Sequence, residues 1–295
     1  MLNITTLPTL PERKADTHKG DYGRTLVLAG SVGMTGAACM CSEAVLRGGA
    51  GLVTLGIPES LYPIVASSLS FAVMTHPLPE TMQKTLSYRA RQKISEVANR
   101  LDVLAIGPGL SRNPETQRLV IWLLENIAVR MVIDADALTA LAQKPAALEK
   151  VKAGCIATPH PGEMARLLGW SSAVEVQRDR AKAVEEFIKR YPSWTLVLKG
   201  HRTIVADNQQ FYINTTGNPG MATAGTGDVL TGLIAGLIAQ GLTTFEAAQL
   251  GVYLHGLAGN LASEEKGEVS MIATDVLEKL PEAFKVFLKK QDLVK

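Results

Sequence analysis

Cysteine is scarce in this 295-residue chain: Cys39, Cys41 and Cys155 are all there is. An odd, low count without metal-ligand spacing excludes a disulfide framework and a Cys-based zinc site, and suits a reducing compartment. Cys39 and Cys41 lie in an apolar helical stretch and read as small buried thiols. An excess of charge of one sign is equally lacking. Lys and Arg number 30 against 28 Asp and Glu, a net +2, with no basic run that would bind nucleic acid. The apolar run "VLTGLIAGLIAQG" is too short to span a bilayer, and "MLNITTLPTLPERKADTHKG" has no apolar signal-peptide segment. A cytoplasmic protein with neither membrane nor nucleic-acid partner is expected.

Two nucleotide-binding signatures are missing as well. No G-x-x-x-x-G-K-[ST] occurs, which excludes a P-loop. The nearest approach to G-x-G-x-x-G starts at Gly225 and Gly227, but Leu230 stands where the third glycine belongs. The segment before it is "NPGMATA" rather than a strand, so a Rossmann dinucleotide site is disfavoured.

What is present is a series of apolar runs that do not alternate with polar residues, the pattern of strands covered on both faces. They fall at 25–30, 51–58, 102–109, 130–137, 154–160 and 195–200. Helical patterns at 34–48, 81–100, 113–128, 174–191 and 226–263 separate or follow them. This alternation predicts an α/β fold, a mostly parallel sheet between helical layers. "RTIVAD" and "QQFYINTTG", joined by short polar connections, predict an antiparallel hairpin at one sheet edge. No linker or repeat divides the chain, so residues 1–295 read as one domain, with 1–20 as an extended arm.

Open parallel sheets bind ligands beyond the carboxyl ends of their strands. There this sequence puts "GSVGMTGAA", "GPGLSRN", "DADAL", "TPHPGE" and "KGHRT". A further segment, "AGTGD", precedes the apolar helix that starts near 226. Gly225, Thr226 and Gly227 let backbone N–H groups converge on an anion at a helix N-terminus. Asp228 then has two open uses. It takes a proton from a hydroxyl attacking phosphorus, or it only stabilises the helix start, by about 0.3–1 kcal/mol.

"HKGDYGRTLVLAGS", "IGPGL", "VIDADAL", "TPHPGE", "TTGNPGMATAGTGD" and "GVYLHGLAG", in this order over nearly the whole chain, resemble the ADP- or ATP-dependent NAD(P)H-hydrate dehydratases of the ribokinase-like superfamily. The resemblance implies a three-layer ribokinase-like sandwich. It also implies repair of hydrated NADH or NADPH: the ring hydroxyl is phosphorylated from ADP, as in bacterial members, or from ATP, and phosphate then leaves.

Carried onto matching positions, the resemblance makes Asp228 the base. Gly225, Thr226 and Gly227 become the phosphoryl cradle, and Lys199, Gly200, His201, Arg202 and Thr203 the nucleotide-binding stretch. Ala37, Gly109, His160 and Asp228 correspond to substrate positions. Glu163 either orients Mg²⁺ through water or caps the helix after it. Asp134 joins the site, while Asp136 suits an N-cap. The chain opens almost directly on the first motif, so the epimerase that some relatives carry is expected as a separate protein, and a homotetramer is expected. Two rivals stand beside this reading. One is a ribokinase-like kinase of a small alcohol such as a thiazole or pyrimidine vitamin precursor; "TPHPGE" in place of an Asn version disfavours it. The other is a non-catalytic nucleotide-binding regulator, which would have no need of Asp228.

Overall fold

Ten strands form a single sheet with helices packed on both faces. The structure is a computed structural model that describes residues 1–151 and 153–292. The strands are β1 (Leu2–Asn3), β2 (Arg24–Leu28), β3 (Leu52–Pro58), β4 (Met74–Leu78), β5 (Val103–Ile106), β6 (Arg130–Ile133), β7 (Cys155–Ala157), β8 (Trp194–Leu198), β9 (Ile204–Ala206) and β10 (Gln210–Ile213). Their order is β1-β10-β9-β8-β7-β6-β5-β2-β3-β4. All neighbours from β4 to β8 are parallel. β9 and β10 add the antiparallel hairpin read from the sequence.

The helices are α1 (Thr35–Arg47), α2 (Tyr62–Ala66), α3 (Arg91–Ala98), α4 (Pro114–Asn126), α5 (Ala135–Gln143), α6 (Pro161–Leu168), α7 (Ala173–Arg178), α8 (Arg180–Arg190), α9 (Thr226–Ala239), α10 (Thr244–Lys266) and α11 (Ala273–Asp292). Alternation along each strand sorts the core into two halves. Val27, Val53, Ala105 and Val132 face α1, α9, α10 and α11, whereas Leu26, Leu28, Leu104 and Ile133 face α3 to α8. With both faces covered, neither position of the strand repeat can be polar. This is the three-layer α/β/α sandwich. Among the described residues no helix is long and apolar enough to cross a membrane.

Several boundaries differ from the sequence reading. The pattern at 81–100 is helical only from Arg91, after a 3₁₀ turn. Before it, a bridge between Glu80 and Leu86 and a buried hydroxyl cluster of Thr81, Thr85 and Thr116 hold a turn. The stretch 174–191 breaks at Asp179, whose side chain accepts from the Lys182 amide and starts α8. The stretch 226–263 divides at Gly241 (φ 101°), and Thr243 with Glu246 forms a capping box for α10. β4 escaped notice because it is a partly exposed edge strand holding Pro77, which only an edge tolerates.

Before β2 the chain runs along the outside. β1 pairs parallel to β10, Gln249 Nε2 donates to the Thr6 carbonyl, and Arg13 reaches the Gly49 carbonyl at 2.6 Å.

α9 carries the candidate phosphate cradle, and its seat on α1 fixes where that cradle points. The helices approach through Gly232 and Gly236. A Cβ at 232 would stand 2.1 Å from the Cys41 carbonyl oxygen, and one at 236 would stand 2.4 Å from that of Val45. Gly232→Ala should therefore destabilise the fold by about 1–3 kcal/mol. The check is a lowered urea midpoint at unchanged slope; an unmoved midpoint would mean the helices are not in this contact.

Candidate active site

The strand order turns at β2: the chain builds β3 and β4 on one side and returns to β5 on the other. Ligands of open parallel sheets lie outside such a point, beyond the strand ends. Asp134, directly after β6, is only 1% exposed there. Its Oδ1 accepts from Lys199 Nζ at 2.6 Å, and its Oδ2 accepts from Thr231 Oγ1 of α9 at 2.9 Å. Gly107 makes room for this turn, since a Cβ on it would lie 1.8 Å from the Asp134 carbonyl oxygen. Burial works against the charge on Lys199, but Asp134, and behind it Glu163 and Asp228, hold its pKa above the ordinary value.

Asp228 occupies the first turn of α9. Its carboxylate accepts no hydrogen bond among the described residues. Burial first, and then the neighbouring Asp134, push its pKa up to about 7, against the opposing pull of Lys199. Among the described residues no side-chain bond ties Asp228 to the helix start, so its carboxylate is free for either use, as a base or as a charge against the helix dipole. Gly225 stands at φ 94°, a left-handed conformation that favours glycine, and the end of the Met40 side chain packs over it. A Cβ on Gly227 would come within 3.3 Å of Lys199 Nζ. Bare amides and an ammonium group thus share one spot, an arrangement that attracts an anion.

Beside this spot opens a cavity of about 640 Å³, whose wall includes Lys199, Gly200, His201, Arg202, Thr203, Thr226 and Gly227. The two segments read separately from sequence thereby meet. Inside the first, Thr203 Oγ1 donates to the Gly200 carbonyl, while His201 and Arg202 are exposed. Arg180 of α8 holds the carbonyls of Leu198 and Lys199, which fixes where the segment leaves β8.

The cavity also uses residues that sequence reasoning did not single out, among them Asn214, Val252, His255 and Gly256. Asn214, 5% exposed, donates to the carbonyls of Thr216 and Val252 and so ties the loop after β10 to α10. Asn214 and His255 do fall in or beside quoted motifs, but no spacing rule marked them individually.

His160 caps α6. Its Nδ1 accepts from the amides of Gly162 and Glu163 at 2.9 and 3.3 Å, leaving the proton on Nε2 of a ring that is half exposed. Burial and the nearby Lys199 keep its pKa below the usual value. Glu163 Oε2 accepts from the His160 amide at 2.8 Å, completing a capping box. Burial raises Glu163 to about 7, with Lys199 opposing and Asp134 adding.

Gly109 (φ 62°) packs on the β2–α1 loop: a Cβ there would lie 2.9 Å from Met34 Cβ and 3.2 Å from Ala37 Cβ. Ala37 and Gly109 therefore adjoin one another, away from the cavity wall. Asp136 is not the N-cap of α5; Asp134 holds that position. Asp136 Oδ2 instead accepts from the Ser111 amide at 2.8 Å.

An α/β/α sandwich with a glycine-lined helix start, a buried acid and a lysine at the strand ends is a ribokinase-like protein. The family described as NAD(P)H-hydrate dehydratase matches residues 25–282, and the chain belongs to that family. It is 39% identical to the ADP-dependent (S)-NAD(P)H-hydrate dehydratase of Neisseria meningitidis, over 86% of this chain and 82% of that relative. It is 49% identical to the bifunctional NAD(P)H-hydrate repair enzyme Nnr of Moorella thermoacetica, over 92% of this chain. The chain spans about half the length of that and other bifunctional relatives, 51% in this case. The crystal structure of the ADP/ATP-dependent NAD(P)H-hydrate dehydratase from Bacillus subtilis, co-crystallized with ATP/Mg²⁺, superposes with a TM-score of 0.79 at 31% identity, covering 95% of both chains.

Two predictions follow from the buried charges. Lys199→Met leaves Asp134 without its counter-charge and should destabilise by about 3–5 kcal/mol. Adding Asp134→Asn should restore most of that loss in denaturant titrations; equal losses in single and double variants would deny the pairing. Asp228 binds its proton more tightly in the fold than its ordinary value of 3.8 allows in the open chain. Its contribution to stability is thus present at acid pH and is lost as pH rises from about 4 to 7. Asp228→Asn should be more stable than the parent at pH 8 by roughly 1–3 kcal/mol, with the difference vanishing near pH 4. A constant difference across that range would contradict the shift.

Proposed function

We propose that this chain is an ADP-dependent (S)-NAD(P)H-hydrate dehydratase acting on hydrated NADH or NADPH. One observation carries the reading: Asp228, a carboxylate that accepts no hydrogen bond among the described residues, stands at the start of α9 beside bare amides and Lys199, where burial pushes its pKa up to about 7. Family membership and the name of the Neisseria relative support the substrate class.

In this reading the nucleotide enters the cavity along residues 199–203 and Thr226. Its terminal phosphoryl group lies against the amides of Gly225, Thr226 and Gly227, with Lys199 countering the charge that develops on transfer. Asp228 takes the proton of the ring hydroxyl as its oxygen bonds to phosphorus and the bond to the departing nucleotide breaks. Loss of the new phosphate, with a proton from the adjoining ring carbon, restores the double bond. His160, by its Nε2–H, and the small surfaces of Ala37 and Gly109 hold the hydrate on the other side of the base.

Among the described residues no cluster of three or more side chains could hold a metal directly. Asp134, Glu163 and Asp228 outnumber Lys199, and two of them are pushed to about 7, so an added cation would relieve their repulsion. That fits Mg²⁺ borne mainly by phosphate oxygens and water, with Glu163 reaching it through water. Bound there, Mg²⁺ would offset phosphate charge.

The proposal extends to a single domain over residues 1–295 with 1–20 as its arm, to a cytoplasmic setting consistent with three free cysteines, and to an epimerase activity as functional partner, supported by the bifunctional relatives. It extends also to a homotetramer; the apolar exposure of Tyr62, Ile64, Phe71 and Met74 beside the open β4 edge supports self-association.

Incubating the protein with hydrated NADH, ADP and Mg²⁺ should bring back the absorbance of reduced nicotinamide. A flat trace with ADP and with ATP would refute the reading, and an accumulating phosphorylated product would favour a small-alcohol kinase. Asp228→Asn should lower turnover by about a thousandfold with ADP binding retained; near-parental turnover would remove Asp228 from the role of base.

A further inference from the structure

The cavity wall carries a polar group that none of the roles above employs. His255 lies midway along α10, is 9% exposed, and lines the cavity with Thr226, Gly227 and Lys199. Its Nε2 stands 2.9 Å from the Thr226 carbonyl oxygen. A carbonyl can only accept, so Nε2 carries the ring proton and Nδ1 keeps a free lone pair. Burial, with Lys199 adding to it and the Thr226 bond opposing, pushes the imidazole down to about 4, so the ring is neutral at neutral pH. Among the described residues no protein group donates to Nδ1, and Nδ1 is not among the polar atoms sealed without a partner in the core. The accessible part of the ring is its cavity face.

The bond to Thr226 accounts for one ring nitrogen and leaves the other to be satisfied. Nδ1 is open to the cavity, so a ligand that closes over it without supplying a donor leaves this acceptor unpaired, at a cost of about 1–3 kcal/mol. Phosphate oxygens of a nucleoside diphosphate accept at neutral pH and cannot supply a donor. The donors on ADP are its two ribose hydroxyls and the 6-amino group. Thr226 contributes both the carbonyl that His255 holds and the peptide whose N–H belongs to Gly227 of the phosphate cradle. The imidazole is thus one peptide unit from the phosphate end, and the ribose is the first donor-bearing unit beyond the phosphates.

We propose that His255 contacts the nucleotide directly, its Nδ1 accepting a hydrogen bond from a ribose hydroxyl of bound ADP. The inference rests on the nucleotide assignment above, but not on the dehydration chemistry. The test is calorimetric titration of the full chain with ADP, 2′-deoxy-ADP and 3′-deoxy-ADP in the presence of Mg²⁺. One deoxy analogue should bind the parent about tenfold more weakly than ADP. That gap should shrink to about twofold or less in His255→Phe. His255→Leu, smaller and without any hydrogen-bonding group, should lose the discrimination too and serves if the Phe variant fails to fold. Equal binding of all three nucleotides to the parent overturns the contact, as does a tenfold gap that survives in the variants. Failure of the parent to bind ADP overturns the nucleotide site itself, a result distinct from either.

Discussion

The pairing of Asp134 with Lys199 is the constraint on which the site depends. It joins the end of β6 to the end of β8, across β7, and through Thr231 it also grips α9. A carboxylate 1% exposed is tolerated only with a counter-charge and full hydrogen bonding. Once this pair is in place, the lysine is held against Gly227, and the remaining acids, Glu163 and Asp228, sit in a field of insufficient positive charge. Their raised pKa values follow from that shortage as well as from burial. A carboxyl whose pKa is raised to about 7 is unfavourable to stability at neutral pH and suits a base, the role proposed for Asp228.

The fold delivers these residues through a division of labour. Parallel strands carry the core and end together on one edge, while the segments flanking the antiparallel β9–β10 hairpin, 199–203 before it and 214–219 after it, form a wall for the cavity. The α1–α9 contact, close enough that Gly232 and Gly236 admit no side chain, sets the height of the candidate phosphate cradle over the strand ends. The glycines at 225 and 227 weaken a helix start, and the compensation comes from α1, α10 and α11, against which α9 packs. His160 and Glu163 illustrate the economy of the edge: one capping box starts α6, presents a protonated Nε2, and places a second acid near Lys199.

Strands covered on both faces were legible because burial on two sides forbids polar residues, and β2, β3, β5, β6, β7 and β8 all carry that mark. The edge strands β1 and β4 do not, since one is two residues long and the other is partly exposed around Pro77. Helix limits failed where a single capping residue such as Asp179 or Thr243 interrupts a pattern that otherwise continues. At the site, the glycine-rich turn, Asp228 and the motif after β8 stood out by chemical type. His255 did not, because a lone histidine in an apolar helix looks like core until its partners are known. Asp136 looked like the cap of α5 because it begins an apolar helical run, but the chain turns two residues earlier.

By itself the sequence determined the layered α/β architecture, the edge on which polar chemistry gathers, and the family. These depend on periodicity, on local turn chemistry and on ordered motifs, all of which are properties of neighbours along the chain. Only the tertiary structure decided that Asp134 pairs with Lys199, that Asp228 is left without a hydrogen bond and its pKa raised by burial, and that α10 closes the cavity with His255. Those outcomes rest on contacts between residues tens of positions apart and on how much water each contact excludes, which spacing along a chain does not encode.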